Sequence, residues 1–119
     1  VAAPGEVYLV RVFGVLGMID EGEMDWKLLA IRADDPAAEA MRDAEAPGGV
    51  PDDVMRRVDE LRVWFRDYKL PDGKPENEFA FGGAAKGAGY ALSVVETQHA
   101  SWRHLCDRGA GDGGLWLPQ

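Results

Sequence analysis

The sequence predicts a mainly β domain with flanking helices. Two observations carry this reading. A pair of apolar runs is joined by a short acidic segment containing one glycine, and two later stretches repeat their apolar residues with helical spacing. In the first run, Val7 to Ile19, apolar residues fall on both alternating sets, with Val7 and Leu9 on one and Tyr8, Val10 and Val12 on the other. That pattern predicts a strand buried on both sides, as in a barrel wall. Gly14 and Gly17 mark places for a bend or bulge.

Asp20-Glu21-Gly22 supplies the hairpin turn, and the returning strand runs from Trp26 to Arg32. Pro36 ends that strand. Residues 36–51 read as a connection, with a short helix over Ala37–Asp43. Asp52 or Asp53 caps the first long helix, in which Val54, Val58, Leu61, Phe65 and Tyr68 form one stripe. Pro71 ends this helix at or before Leu70, which places Tyr68 and Lys69 in its last turn. Pro71 to Pro75 is turn chemistry and Phe79-Ala80-Phe81 a short apolar segment. Gly82 to Gly89 reads as a flexible loop. Tyr90 to Leu105 is the second helix, with Leu92, Val95, His99 and Trp102 on one stripe. Residues 1–105 thus form one domain portion, and residues 106–119 a flexible, glycine-rich tail.

A length of 119 residues suits one domain with a modest core, and 46% apolar with 29% charged residues is ordinary for a globular chain. No apolar run is long enough for a membrane-spanning helix. The net charge of −8 argues against a nucleic-acid or anionic-membrane surface, but it leaves room for a small anion where lysines and metal ions reverse the sign locally. The single cysteine, Cys106, forms no internal disulfide, so a reducing, cytoplasmic setting is the expectation.

Asp25 and Lys27 lie two apart, hence on one strand face, with Trp26 on the other. Asp20 closes the preceding strand across the turn. Two carboxylates and an ammonium at one end of a hairpin suit a hard divalent cation with an anionic ligand. By spacing alone, the commoner reading of such a segment is a solvated acidic turn. Tyr68 with Lys69 suits a phosphate gripped by a phenol and an ammonium. The competing reading makes Tyr68 the last core position and Lys69 a favourable charge at a helix C-terminus. Lys74 beside Asp72 reads as a turn pair. The segment Gly82 to Gly87 lacks the spacing of a phosphate-binding loop, and His99 and His104 are five apart, not the four of a paired metal site. Nothing places a base beside Cys106.

Read together, the wording of these segments is specific. Gly14 to Lys27, containing Asp-Glu-Gly-Glu-Met-Asp-Trp-Lys, resembles the Asp-Glu-Gly-Glu-Thr-Asp-Trp-Lys segment of the soluble family I inorganic pyrophosphatases. Trp64 to Phe81 resembles that family's second long motif in its eukaryotic form. Ala-Ile-x-x-x-Asp-Pro (Ala30 to Pro36), Tyr-Ala-Leu and Thr-x-His-x-x-Trp (Tyr90 to Trp102) are similar too, in the same order, so the resemblance covers nearly everything up to Leu105.

The resemblance implies an OB-like β-barrel with flanking helices, of which this chain is the C-terminal portion and a partial barrel. It implies Mg²⁺-dependent hydrolysis of pyrophosphate to two phosphates. Carried over by position, Asp20 and Asp25 are Mg²⁺ ligands, Lys27 neutralises one phosphoryl group, and Tyr68 with Lys69 holds the other. Met24 stands where the family has Thr, between ligand positions. The family's Asp-x-Asp-Pro-x-Asp signature is absent and is expected upstream of Val1. Taken alone, the chain is therefore expected to leave strands unpaired, to bind Mg²⁺ weakly and to be inactive. A homodimer is implied by the eukaryotic branch, and a plastid or mitochondrial compartment is the alternative to the cytoplasm. The rival reading is a catalytically incomplete piece kept as a structural or interaction subunit.

Overall fold

The computed structural model describes residues 3–41 and 49–108. Strands β1 (Val10–Asp20) and β2 (Glu23–Arg32) form an antiparallel hairpin. Two residues make its turn, Glu21 at φ +51° and Gly22 at φ +87°, the left-handed pair whose twist matches that of the flanking strands. Helix α1 (Pro36–Ala40) follows, its N-terminus capped by Asp35, whose carboxylate accepts from the Ala37 N–H at 2.9 Å. Helix α2 (Asp52–Asp67), strands β3 (Glu78–Phe79) and β4 (Lys86–Gly87), and helix α3 (Ala88–Arg108) complete the order. No helix among the described residues is long and apolar enough to cross a membrane.

β1 is the central strand. β2 pairs along one edge, while β3 meets Met18 and Ile19, and β4 meets Gly14 and Val15, on the other. The architecture is mainly antiparallel sheet with flanking helices, and among the described residues the sheet stays open, as a portion of an OB-like barrel does. Each helix takes one face. Leu16, Leu29 and Ile31 pack with Val54 and Val58 of α2, and Met41 joins them. On the opposite face Trp26 meets Tyr90 of α3, and Val15, Ala91 and Val94 are buried. Full burial of side chains such as Leu16, Met18 and Met41 stabilises by about 1.5–3 kcal/mol each.

The hairpin, both long helices and the bend near Gly14 agree with the sequence reading. The pairing register shifts between Val12 and Gly14, and a Cβ on Gly14 would stand 2.8 Å from the Lys86 carbonyl oxygen. Glycine is there because β4 comes that close.

Several expectations need correction. β1 begins at Val10, and Val7 is 95% exposed, so the apolar run before it lines no wall among the described residues. Gly82 to Gly89 is not a loose loop. Its start belongs to a 3-10 turn (Ala80–Gly83), Lys86–Gly87 is a sheet strand, and α3 begins at Ala88. Pro51, not Asp52 or Asp53, occupies the cap of α2, and both aspartates sit in its first turn, where their charge complements the helix dipole. α2 ends at Asp67 with Tyr68 as its C-cap, and Leu61 of the expected stripe is 47% exposed. In α3 the stripe Leu92, Val95 and Trp102 faces outward, because the helix lies close on β1 and only Ala91 and Val94 fit beneath it. α3 also continues to Arg108, beyond the expected helix end at Leu105, and residues 109–119 of the tail, like residues 42–48 of the 36–51 connection, lie outside the described residues.

Among the described residues, four carboxyl groups are held below the ordinary carboxylate range by a neighbour: Glu6 by the Tyr8 hydroxyl, Glu21 by Lys74, Asp34 by Arg32 and Asp67 by Arg66. A lowered folded-state pKa contributes stability that is complete above the unfolded value and is lost as pH falls through the folded one. Urea unfolding midpoints of the natural full-length polypeptide should therefore be flat near neutrality and fall below about pH 4. Gly14→Ala should lower the stability by about 1–3 kcal/mol, read in the same denaturation experiment.

Candidate active site

The hairpin register assembles the polar face. Lys27 pairs with Leu16, Asp25 with Met18, and Glu23 with Asp20, so all six side chains share the face covered by α2. Leu16 and Met18 are fully buried, and the polar residues begin where that core stops. The Lys27 ammonium bonds to Asp25 at 2.7 Å and stands 5.1 Å from the centre of the Phe65 ring of α2.

The end of α2 closes the other side. Tyr68 stacks on Trp64 at 5.0 Å, and the Lys69 ammonium lies 5.6 Å from the centre of the Tyr68 ring. Lys69 crosses to the hairpin and donates to both Asp20 carboxylate oxygens at 2.5 Å. That hydrogen bond raises the Lys69 pKa above the usual lysine range, against the opposing effect of burial, and the neighbouring Tyr68 adds to the rise. Lys74 makes a second bridge, to Glu21 at 2.9 Å.

Beside these elements lies an open cleft of about 820 Å³, whose wall includes Asp20, Asp25, Trp26, Lys69 and Lys74 and, from α3, Gln98, with Glu21 and Glu23 at the hairpin turn. The five residues singled out in the sequence are thus brought into one region. Asp20, Asp25 and Lys69 line the cleft itself. Lys27 and Tyr68 stand beside it, reached through Asp25 and Lys69 respectively. Tyr68 is partly exposed rather than a core residue.

Asp20 and Asp25 present the hard oxygen donors that Mg²⁺ takes, and the neighbouring Glu21 and Glu23 widen the choice, so the donor chemistry fits. Among the described residues no group of three or more acidic, histidine or cysteine side chains stands ready as a metal cage.

Three features escaped the sequence reading. Lys74 pairs with Glu21, 53 residues away, and not with Asp72. Asn77 is buried, donating from its side chain to the Phe65 carbonyl at 2.8 Å and from its N–H to the Arg66 carbonyl at 3.0 Å, which ties the segment after α2 to the helix end. Nothing local distinguishes it from an ordinary turn asparagine. Trp26, which also lines the cleft, packs against Phe81 and Tyr90 and is seated over Gly17, where a Cβ would come within 3.1 Å of the indole.

Residues 1–103 match the sequence pattern of the family described as inorganic pyrophosphatase. The chain belongs to that family. It is 46% identical over 101 residues to the inorganic pyrophosphatase of Zygosaccharomyces bailii, covering 85% of this chain and 34% of that protein. Against the Bos taurus inorganic pyrophosphatase it is 43% identical over 119 residues, covering 97% and 39%. The crystal structure of an N-terminally truncated Trypanosoma cruzi vacuolar soluble pyrophosphatase in complex with PPi superposes with a TM-score of 0.80 at 37% identity, covering 89% of this chain and 39% of that one. The chain spans about a third to two-fifths of the length of these relatives.

The Asn77 anchor gives a direct test. Asn77→Ala leaves the Phe65 carbonyl without its partner and should cost about 1–3 kcal/mol in urea denaturation, whereas an unchanged midpoint would mean that the segment is held by something else.

Proposed function

We propose that this chain supplies part of the active site of an Mg²⁺-dependent enzyme that hydrolyses inorganic pyrophosphate to two phosphates. The observation that carries the reading is the meeting of Asp20, Asp25, Lys27, Tyr68 and Lys69 at one cleft edge, in a chain of the inorganic pyrophosphatase family. Asp20 and Asp25 would hold the Mg²⁺. Bound there, the metal supplies charge neutralisation and an acidified water. Lys27 and Lys69 donate to phosphoryl oxygens and stabilise the charge that develops on them as the bridging bond breaks. Tyr68, fixed against Trp64, presents its hydroxyl as a further donor beside Lys69.

The single Cys106 suits a reducing, cytoplasmic compartment, and the family resemblance suits a homodimer. The second reading is a catalytically incomplete structural or interaction subunit.

Phosphate release from pyrophosphate with Mg²⁺ separates the two. The natural full-length polypeptide should turn over, Asp25→Asn should lower the rate by about 10²–10³-fold, and the 119-residue chain alone should be inactive. A full-length polypeptide without turnover would favour the structural subunit, and full activity in Asp25→Asn would remove Asp25 from the site.

A further inference from the structure

We propose that Phe81 is a positioning residue for Asp25 and Lys27, acting on them through the Trp26 indole. The inference rests on the reading that Asp25 and Lys27 serve pyrophosphate hydrolysis. It starts from an unfavourable backbone. Phe81 stands at φ +58° and ψ +28°, a left-handed conformation that bulky side chains rarely adopt. Gly82 and Gly83 continue the same turn at φ +63° and +81°, and glycine would adopt the conformation at position 81 freely as well. Burial gives little to offset the strain, because Phe81 is 43% exposed. Strain that the surroundings hold in place points to a task for the side chain.

The contacts of the ring supply that task. Phe81 lies nearly parallel to Trp26, with centroids 6.4 Å apart, and meets Tyr90 of α3 edge-on at 5.8 Å. The Lys86 ammonium holds it from another side, 4.4 Å from the centre of the ring, while the Lys86 backbone is paired with Val15 of β1. Phe81 is thus fixed to the central strand and to α3, and it passes that fixity to Trp26. The indole needs such a support. Among the described residues β2 is hydrogen-bonded along one side only, by β1, so the segment carrying Asp25 and Lys27 is an edge. Trp26 stands between these two residues and is pressed onto Gly17 of β1. Fixing the indole therefore sets the height and twist of the strand at both polar neighbours.

Phe81→Gly separates positioning from stability, because it removes the ring and the backbone strain together. The test is steady-state hydrolysis of pyrophosphate by the natural full-length polypeptide, with urea unfolding of the same variants. Phe81→Gly should keep a urea midpoint close to the native one and lower kcat on the order of tenfold with little change in KM. Phe81→Tyr, which keeps the ring, should restore kcat. Lys86→Met leaves Phe81 in place without its cation and should lower kcat in the same direction, which guards against a folding defect specific to position 81. If kcat follows the urea midpoint across these variants, so that Phe81→Gly retains both, Phe81 is structural only and the proposal is overturned. A native polypeptide without turnover would instead defeat the pyrophosphatase reading. Amide hydrogen exchange needs no turnover: it should be faster over residues 23–28 in Phe81→Gly, and unchanged exchange there would overturn the ordering of the strand by Phe81.

Discussion

The bond from Lys69 to Asp20 is the contact on which the site depends. It spans 49 residues and joins the end of α2 to the last residue of β1. Without it, among the described residues, the exposed Lys74–Glu21 bridge and the contact of Lys27 with the Phe65 ring would remain between the polar end of the hairpin and the helix terminus. Exposed ion pairs of that kind contribute little. The Lys69 side chain is 15% exposed and that of Asp20 26%, so this pair is better shielded than the surface pairs elsewhere in the molecule. The same contact draws Tyr68 to the cleft edge, because it is the residue just before Lys69.

The rest of the fold supplies rigidity to this junction. Leu16 and Met18 root the polar face of the hairpin in the core, and Asn77 pins the backbone that leaves α2. On the far side Trp26 is held between Phe81 and Tyr90 over a glycine, which fixes the strand segment carrying Asp25 and Lys27 from behind. Phe81 adopts φ +58° there, a backbone conformation that side chains rarely take. The aromatic cluster grows from the other face of the strand that carries Asp25 and Lys27, and Trp26 reaches the cleft from it.

Much of this was legible in the sequence because the deciding signals are local. The two-residue turn, the alternation through Asp25, Trp26 and Lys27, and the periodicity of α2 all act over a few residues. What escaped depends on long-range approach. Gly82 to Gly89 carries the composition of a loop, yet β1 recruits Lys86 and Gly87 as a strand, and the missing side chain at Gly14 leaves room for the Lys86 carbonyl. In α3 a large apolar stripe points outward, because small residues set the close contact with β1. The partners of Lys74 and Asn77 likewise become visible only once the turn after α2 folds back on the hairpin and the helix end.

The central claim is that Asp20 and Lys69 act as a unit that docks α2 onto the hairpin. A double-mutant cycle tests it most directly, with urea unfolding of the natural full-length polypeptide carrying Asp20→Asn, Lys69→Gln and both substitutions. The account predicts that the double variant loses clearly less stability than the sum of the single losses. Strictly additive losses would contradict it, and would assign the docking of the helix to the apolar contacts around Val58 alone.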